Sequence, residues 1–143
     1  MEAVDEMVEE AIHTLGCAES EIRQLHGPEG ELVVKKAMER FVDGNPRAWW
    51  MSLKRKYKKF PVDDNNLEYL EHHWPKSESH AYFVPENGTR ALRAFDASLS
   101  AVKAVLGECS FFEYYVVGKR FDWLLAESDH SELFVVRNER SET

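Results

Sequence analysis

Glu127, Asp129 and His130 form the densest group of ionisable side chains in the otherwise apolar stretch from Phe111 to Val136. A carboxylate beside a histidine can orient the imidazole and tune its basicity, so general acid–base work is the chemistry this spacing would support. The competing reading is a polar hairpin, since Asp and Ser stabilise turns by bonding nearby backbone. His72, His73, His80 and His130 add nitrogen donors, yet neither HxxxH nor HExxH spacing occurs. Adjacent His72 and His73 point in different directions on a helix or a strand, so tertiary structure alone would have to assemble a metal site. The expectation is no metal and no cofactor. The chain also lacks GxSxG, a P-loop and a Gly-rich dinucleotide turn, and its seven glycines are not clustered. No catalytic residue is assigned; Glu127, Asp129 and His130 are the candidates if the protein is an enzyme.

A second group interleaves bases with aromatics. Asn45-Pro46 reads as the N-cap and first residue of a helix carrying RAWWMSLKRKYKKF. Trp50, Leu53, Tyr57 and Phe60 would share one side with Trp49 flanking, and Lys54, Arg55, Lys56, Lys58 and Lys59 would fill the rest. Such a surface can neutralise phosphates and stack bases. Helical spacing instead favours a buried aromatic face, and a net charge of -8 repels polyanions overall. Nucleic acid is therefore not the expected partner.

The elements that must position these groups follow from periodicity. Val4, Met7, Val8, Ala11, Ile12 and Leu15 recur at helical spacing and stop at Gly16. Further helices are expected over Glu19 to His26, ending at Gly27-Pro28, and over Glu31 to Val42. Asn66 to His72 reads as one more, short helix. From His80 the period becomes alternating: His80 to Pro85 and Arg90 to Phe95 read as strands around the hairpin signal Glu86-Asn87-Gly88. Asp96 and Ser98 can cap a helix over Leu99 to Leu106, closed by Gly107. Three apolar segments separated by Gly118-Lys119-Arg120 and Ser128-Asp129-His130-Ser131 then read as an antiparallel meander. The strands are apolar on both sides, so the sheet should be covered on both faces or present one to a partner. The expected class is α+β, with N-terminal helices on a mostly antiparallel sheet of about five strands in the order α-α-α-α-β-β-α-β-β-β.

At 143 residues and 43% hydrophobic content, one domain spanning 1–143 is the default. The acidic amphipathic start lacks the features of a secretory signal and no apolar run is long enough to span a bilayer, so a cytoplasmic protein without a membrane is expected. Cys17 and Cys109, in no metal-like spacing, read as reduced thiols. Charge is segregated: residues 1–31 hold nine acids and one base, and residues 32–60 nine bases and two acids. Neighbouring helices that neutralise each other would explain this, as would one-sign faces offered to partners.

The pieces RAWW (Arg47 to Trp50), ECSFFEYYVV (Glu108 to Val117) and FDWLLAESDH (Phe121 to His130) resemble an uncharacterised family of small, usually single-domain bacterial proteins. The similarity covers most of the chain after about residue 30 and brings no established activity. The family more often carries Asn-His-His where this chain has Ser128-Asp129-His130. In size, acidity and α+β build the chain also resembles immunity proteins of bacterial toxin systems, a likeness of type that no motif carries. The expectation is a non-catalytic module that binds another protein, such as a toxin or operon partner, through Arg47, Trp49, Trp123, Glu127, Asp129 and His130. A homodimer is compatible with it. The alternative is a small hydrolase or metal-dependent enzyme using the loop from Glu127 to His130.

Overall fold

The computed structural model of the chain describes residues 4–89 and 91–137; Arg90, expected to open a strand, lies outside them. Helix α1 (Val4–Leu15) buries Val8 and Ala11 and ends at Gly16, whose positive φ of 65° suits glycine. Strand β1 (Ile22–Leu25) and helix α2 (Pro28–Phe41) follow. A 3-10 turn (Trp49–Ser52), strand β2 (Lys58–Pro61) and helix α3 (Asn66–His73) complete the first half. Strands β3 (His80–Pro85) and β4 (Ala94–Ser98), helix α4 (Leu99–Glu108) and strands β5 (Tyr114–Val117), β6 (Leu124–Ser128) and β7 (Glu132–Val136) make the rest. The strands form one sheet in the order β1-β4-β3-β5-β6-β7-β2, antiparallel at every pairing.

The class is α+β, but the sheet has seven strands instead of about five. Both additional strands come from segments that read as helices. In the first, Gly27-Pro28 does not stop a helix over 19–26; Pro28 starts α2, where its missing N–H costs nothing, and residues 22–25 pair with β4 instead. In the second, the basic-aromatic helix from Asn45 to Phe60 does not form. After the 3-10 turn, Lys54 N donates to the Phe41 carbonyl and Leu53 bridges Val42, which draws the chain into extended conformation. Residues 58–61 then satisfy the open edge of β7, with Phe60 opposite Leu133. Lys58, Lys59 and Pro61 are residue types that discourage further pairing at a sheet edge.

The returning strand of the β3 hairpin also starts later than expected. Asn87 Oδ1 accepts from both the amide and the hydroxyl of Thr89, and Thr89 Oγ1 accepts from the Ala91 amide, so the connection is a self-bonded loop. Asp96 consequently lies within β4 and caps nothing. Ser98 alone caps α4, its hydroxyl accepting from Ala101 N at 3.1 Å.

Alternation sorts the strand residues onto two cores. Phe83, Phe95, Tyr114, Val116, Leu125 and Val135 pack with α1, α3 and α4 on one face. Val84, Tyr115, Val117, Leu124, Ala126 and Phe134 pack with α2 and the 3-10 turn on the other. The sheet is thus covered on both sides, which explains why its central strands are apolar throughout.

Helix α2 sits close enough to β1 that a Cβ on Gly30 would lie 2.2 Å from the Leu25 carbonyl oxygen. Ala ordinarily stabilises a helix interior over Gly by about 1 kcal/mol. Here backbone would have to move, so Gly30→Ala should destabilise by about 1–3 kcal/mol in chemical denaturation. A stabilised variant would show that α2 packs less tightly.

Candidate functional site

Glu113 breaks the apolar run FFEYYVV at the entrance to β5, and it is 8% exposed. A charge so placed must be paired or strongly hydrogen-bonded. Its Oε1 accepts from Arg47 Nη1 at 3.2 Å, and its Oε2 accepts from Trp50 Nε1 at 2.8 Å and from the Asp129 amide at 2.9 Å. Its backbone carbonyl takes the Glu86 amide at 2.9 Å. One residue thereby joins the 3-10 turn, the β6–β7 turn and the end of β3. The hydrogen bond to Glu113 also raises the Arg47 guanidinium above its ordinary value, fixing its charge.

Glu86, also 8% exposed, continues the network. Its Oε1 accepts from the Tyr115 hydroxyl at 2.6 Å and its Oε2 from the Gly88 amide at 3.0 Å. The same hydroxyl accepts from Trp49 N at 3.0 Å, and the Trp49 and Tyr115 rings stack with centroids 4.2 Å apart. Burial first, then the bond to Glu86, pushes the Tyr115 phenol far above its ordinary value. It stays protonated as a fixed donor. A cavity of 390 Å³ borders Arg47, Trp49 and Glu86, but both oxygens of that carboxylate are already engaged.

The three residues singled out for acid–base work do not converge. Glu127 is 3% exposed and opposite Tyr114, whose hydroxyl donates to its Oε1 at 2.7 Å, while Asn66 Nδ2 donates from the start of α3 at 3.2 Å. It belongs to the α1–α3–α4 side of the sheet. Asp129 and His130 sit in the exposed β6–β7 turn on the Glu113 side, with His130 Nε2 3.5 Å from Asp129 Oδ1 and its ring edge-on to Trp50 at 5.6 Å. Strand alternation places Glu127 on the face away from its sequence neighbours, a constraint that spacing in a loop does not carry.

Two proposed interface anchors are core residues. Trp49 is 2% and Trp123 4% exposed, the latter packed on Gly118, where a Cβ would lie 2.3 Å from its Nε1. Trp49 belongs to the core on the α2 side of the sheet and Trp123 to the core on the α1–α3–α4 side. The histidines lie at three places: His80 Nε2 contacts the Ser20 carbonyl, His72 and His73 meet edge-on at 4.9 Å with His73 also against Phe60, and His130 is at the Trp50 corner. Among the described residues no three His, Cys, Asp or Glu side chains are grouped to hold a metal ion. Cys17 and Cys109 are free thiols, and burial raises that of Cys109. Sequence reasoning missed Glu113, Glu86 and Tyr115; the legible signal was a lone carboxylate inside a continuous apolar run.

The three quoted sequence pieces therefore meet at one corner: RAWW supplies Arg47 and Trp50, FFEYY supplies Glu113 and Tyr115, and SDH supplies Asp129 and His130. Over residues 2–143 the chain matches the family of unknown function DUF6756, and it belongs to that family. No curated protein and no solved structure matches it.

Burial raises the Glu127 carboxyl above its ordinary value of 4.5, and the bonds from Tyr114 and Asn66 offset part of that rise. A raised folded-state pKa gives stability that is complete below the ordinary value and lost as pH climbs through the folded one. Glu127→Gln keeps one oxygen for both donors and cannot ionise. Urea denaturation should show it gaining on the wild type as pH rises above about 4.5. A pH-independent difference would contradict this assignment. Glu127→Leu, which strands both donors, should cost about 1–3 kcal/mol, whereas His130→Ala should change stability by less than about 1 kcal/mol.

Proposed function

We propose that the chain is a non-catalytic protein-binding module, acting in a bacterial cytoplasm as an immunity or accessory protein toward a toxin or operon partner. The observation that carries this reading is the division of labour at the Glu113 corner. Buried carboxylates are consumed by internal hydrogen bonds, while Arg47, Met51 and His130 stand exposed around the half-buried Trp50 ring. Met51 is 54% exposed and the His130 side chain 68%. Arg, Trp and Met are the types enriched at interface centres, and such anchors bind best when held rigid beforehand. The Arg47 side chain is 57% exposed beside Trp50, so the complementary surface carries a carboxylate next to an apolar spot.

The alternative, a small hydrolase or metal-dependent enzyme using Glu127, Asp129 and His130, requires a convergence of side chains that the fold separates. Neither buried tyrosine is poised to exchange a proton near neutral pH.

Met51→Asp leaves the hydrogen-bonded side chains of the network untouched and places a charge on an exposed residue next to Trp50 in the chain. Tagged wild-type protein should recover a partner in stoichiometric amount from the source lysate, and Met51→Asp should lose it while keeping its melting temperature. Identical recovery by both proteins would contradict the patch as the binding surface.

A further inference from the structure

At the other end of the β6–β7 ladder, beyond the pairing of Leu124 with Val136, the start of β2 and the ends of α2 and α3 enclose a cleft of 790 Å³. Its wall is cationic. Arg40, Arg55, Lys56, Lys58 and Arg137 border it, and among the described residues none of them has a carboxylate within ion-pair distance. The acids of α1 do not serve them: Asp5 and Glu9 pair with Arg93 on the opposite face. Among the described residues no ion pair joins the acidic segment 1–31 to the basic segment 32–60. Keeping several cations together with Asp122 as the one acid bordering the cleft among the described residues costs free energy, which a bound anion would recover.

The cations are also oriented. Arg40 Nε donates to the Phe121 carbonyl at 3.1 Å and Arg55 Nε to the Arg40 carbonyl at 3.0 Å, and no bond to their terminal nitrogens is formed among the described residues. Those forked donors suit the oxygens of a phosphate. Burial lowers the Arg137 guanidinium from its ordinary value, and burial, then His72 and Arg137, lowers His73.

Two further features indicate more than a bare oxyanion. Tyr57, 48% exposed, and the partly buried Phe60 offer aromatic surface beside the cations. Asp122 also lines the cleft, and its Oδ1 is buried with no hydrogen-bond partner among the described residues. An acceptor there suits an amino or hydroxyl group of a ligand. The volume lies in the range of about 300–1,000 Å³ usual for small-molecule sites and exceeds what a single phosphate fills.

We propose that this cleft binds a mononucleotide polyphosphate: the phosphates on the Arg and Lys side chains, the planar base against Tyr57, and a base or sugar donor on Asp122. The site is separate from the Met51 surface and does not depend on it.

The test is calorimetric titration of the full chain, at about 150 mM salt, with adenosine and guanosine triphosphates, inorganic tripolyphosphate and a single-stranded oligonucleotide. One of the nucleotides should bind at one per chain with micromolar dissociation constant, at least about tenfold tighter than tripolyphosphate. Arg55→Glu and Lys58→Glu should each weaken it about tenfold or more with unchanged melting temperature, whereas Arg23→Glu, outside the cleft, should not. Asp122→Asn should narrow the gap between nucleotide and tripolyphosphate. No nucleotide binding, equal affinity for tripolyphosphate, tighter binding of the oligonucleotide, or indifference to both cleft substitutions would each overturn the proposal.

Discussion

Glu113 is the constraint on which the rest of this structure turns. A carboxylate at the mouth of a sheet buried on both faces cannot be left to itself, and here it is met by a guanidinium, an indole N–H and a backbone amide from two different segments. Because the donors come from the 3-10 turn and the β6–β7 turn, satisfying one charge also fixes two loops that connect remote parts of the chain. Glu86 repeats the device one strand away, tying Tyr115 to the Gly88 loop. The side chains left exposed at this corner inherit their positions from groups that are not. The ionisable groups of this corner serve as fasteners.

What the sequence made legible follows the length and regularity of each pattern. Helix α1, strand β3, the Ser98 cap and the three-strand meander all rest on several consecutive residues agreeing on one period, and each is present. The failures are short segments decided by tertiary pairing. Residues 22–25 and 58–61 have weak patterns of their own and are strands because β4 and β7 would otherwise expose unpaired backbone. The spacing of Trp50, Leu53, Tyr57 and Phe60 mimicked a helix face although the segment is not helical: Trp50 and Tyr57 meet on Phe134, whereas Phe60 lies against His73. Likewise, Glu127 and His130 are close in sequence but are turned to opposite sides of the sheet, so the site was only half readable.

The fold also gives the charge pattern a physical meaning. Helix α1 and helix α2 lie on opposite faces of the sheet, and Asp5 and Glu9 of α1 pair with Arg93 while Lys59 of β2 pairs with Glu132. The corner around Trp50 and the cationic cleft lie toward different ends of the β6–β7 ladder, with Phe134 packed between Trp50 and Tyr57. No described helix is long and apolar enough to cross a membrane.

The central claim, that Glu113 binds the two turns into one unit, is tested most directly by a double-mutant cycle between Glu113→Gln and Trp50→Phe, which deletes the indole donor and keeps an aromatic ring. Chemical denaturation of the four proteins should give a coupling of at least about 1 kcal/mol. Effects that add to within about 0.3 kcal/mol would contradict the account.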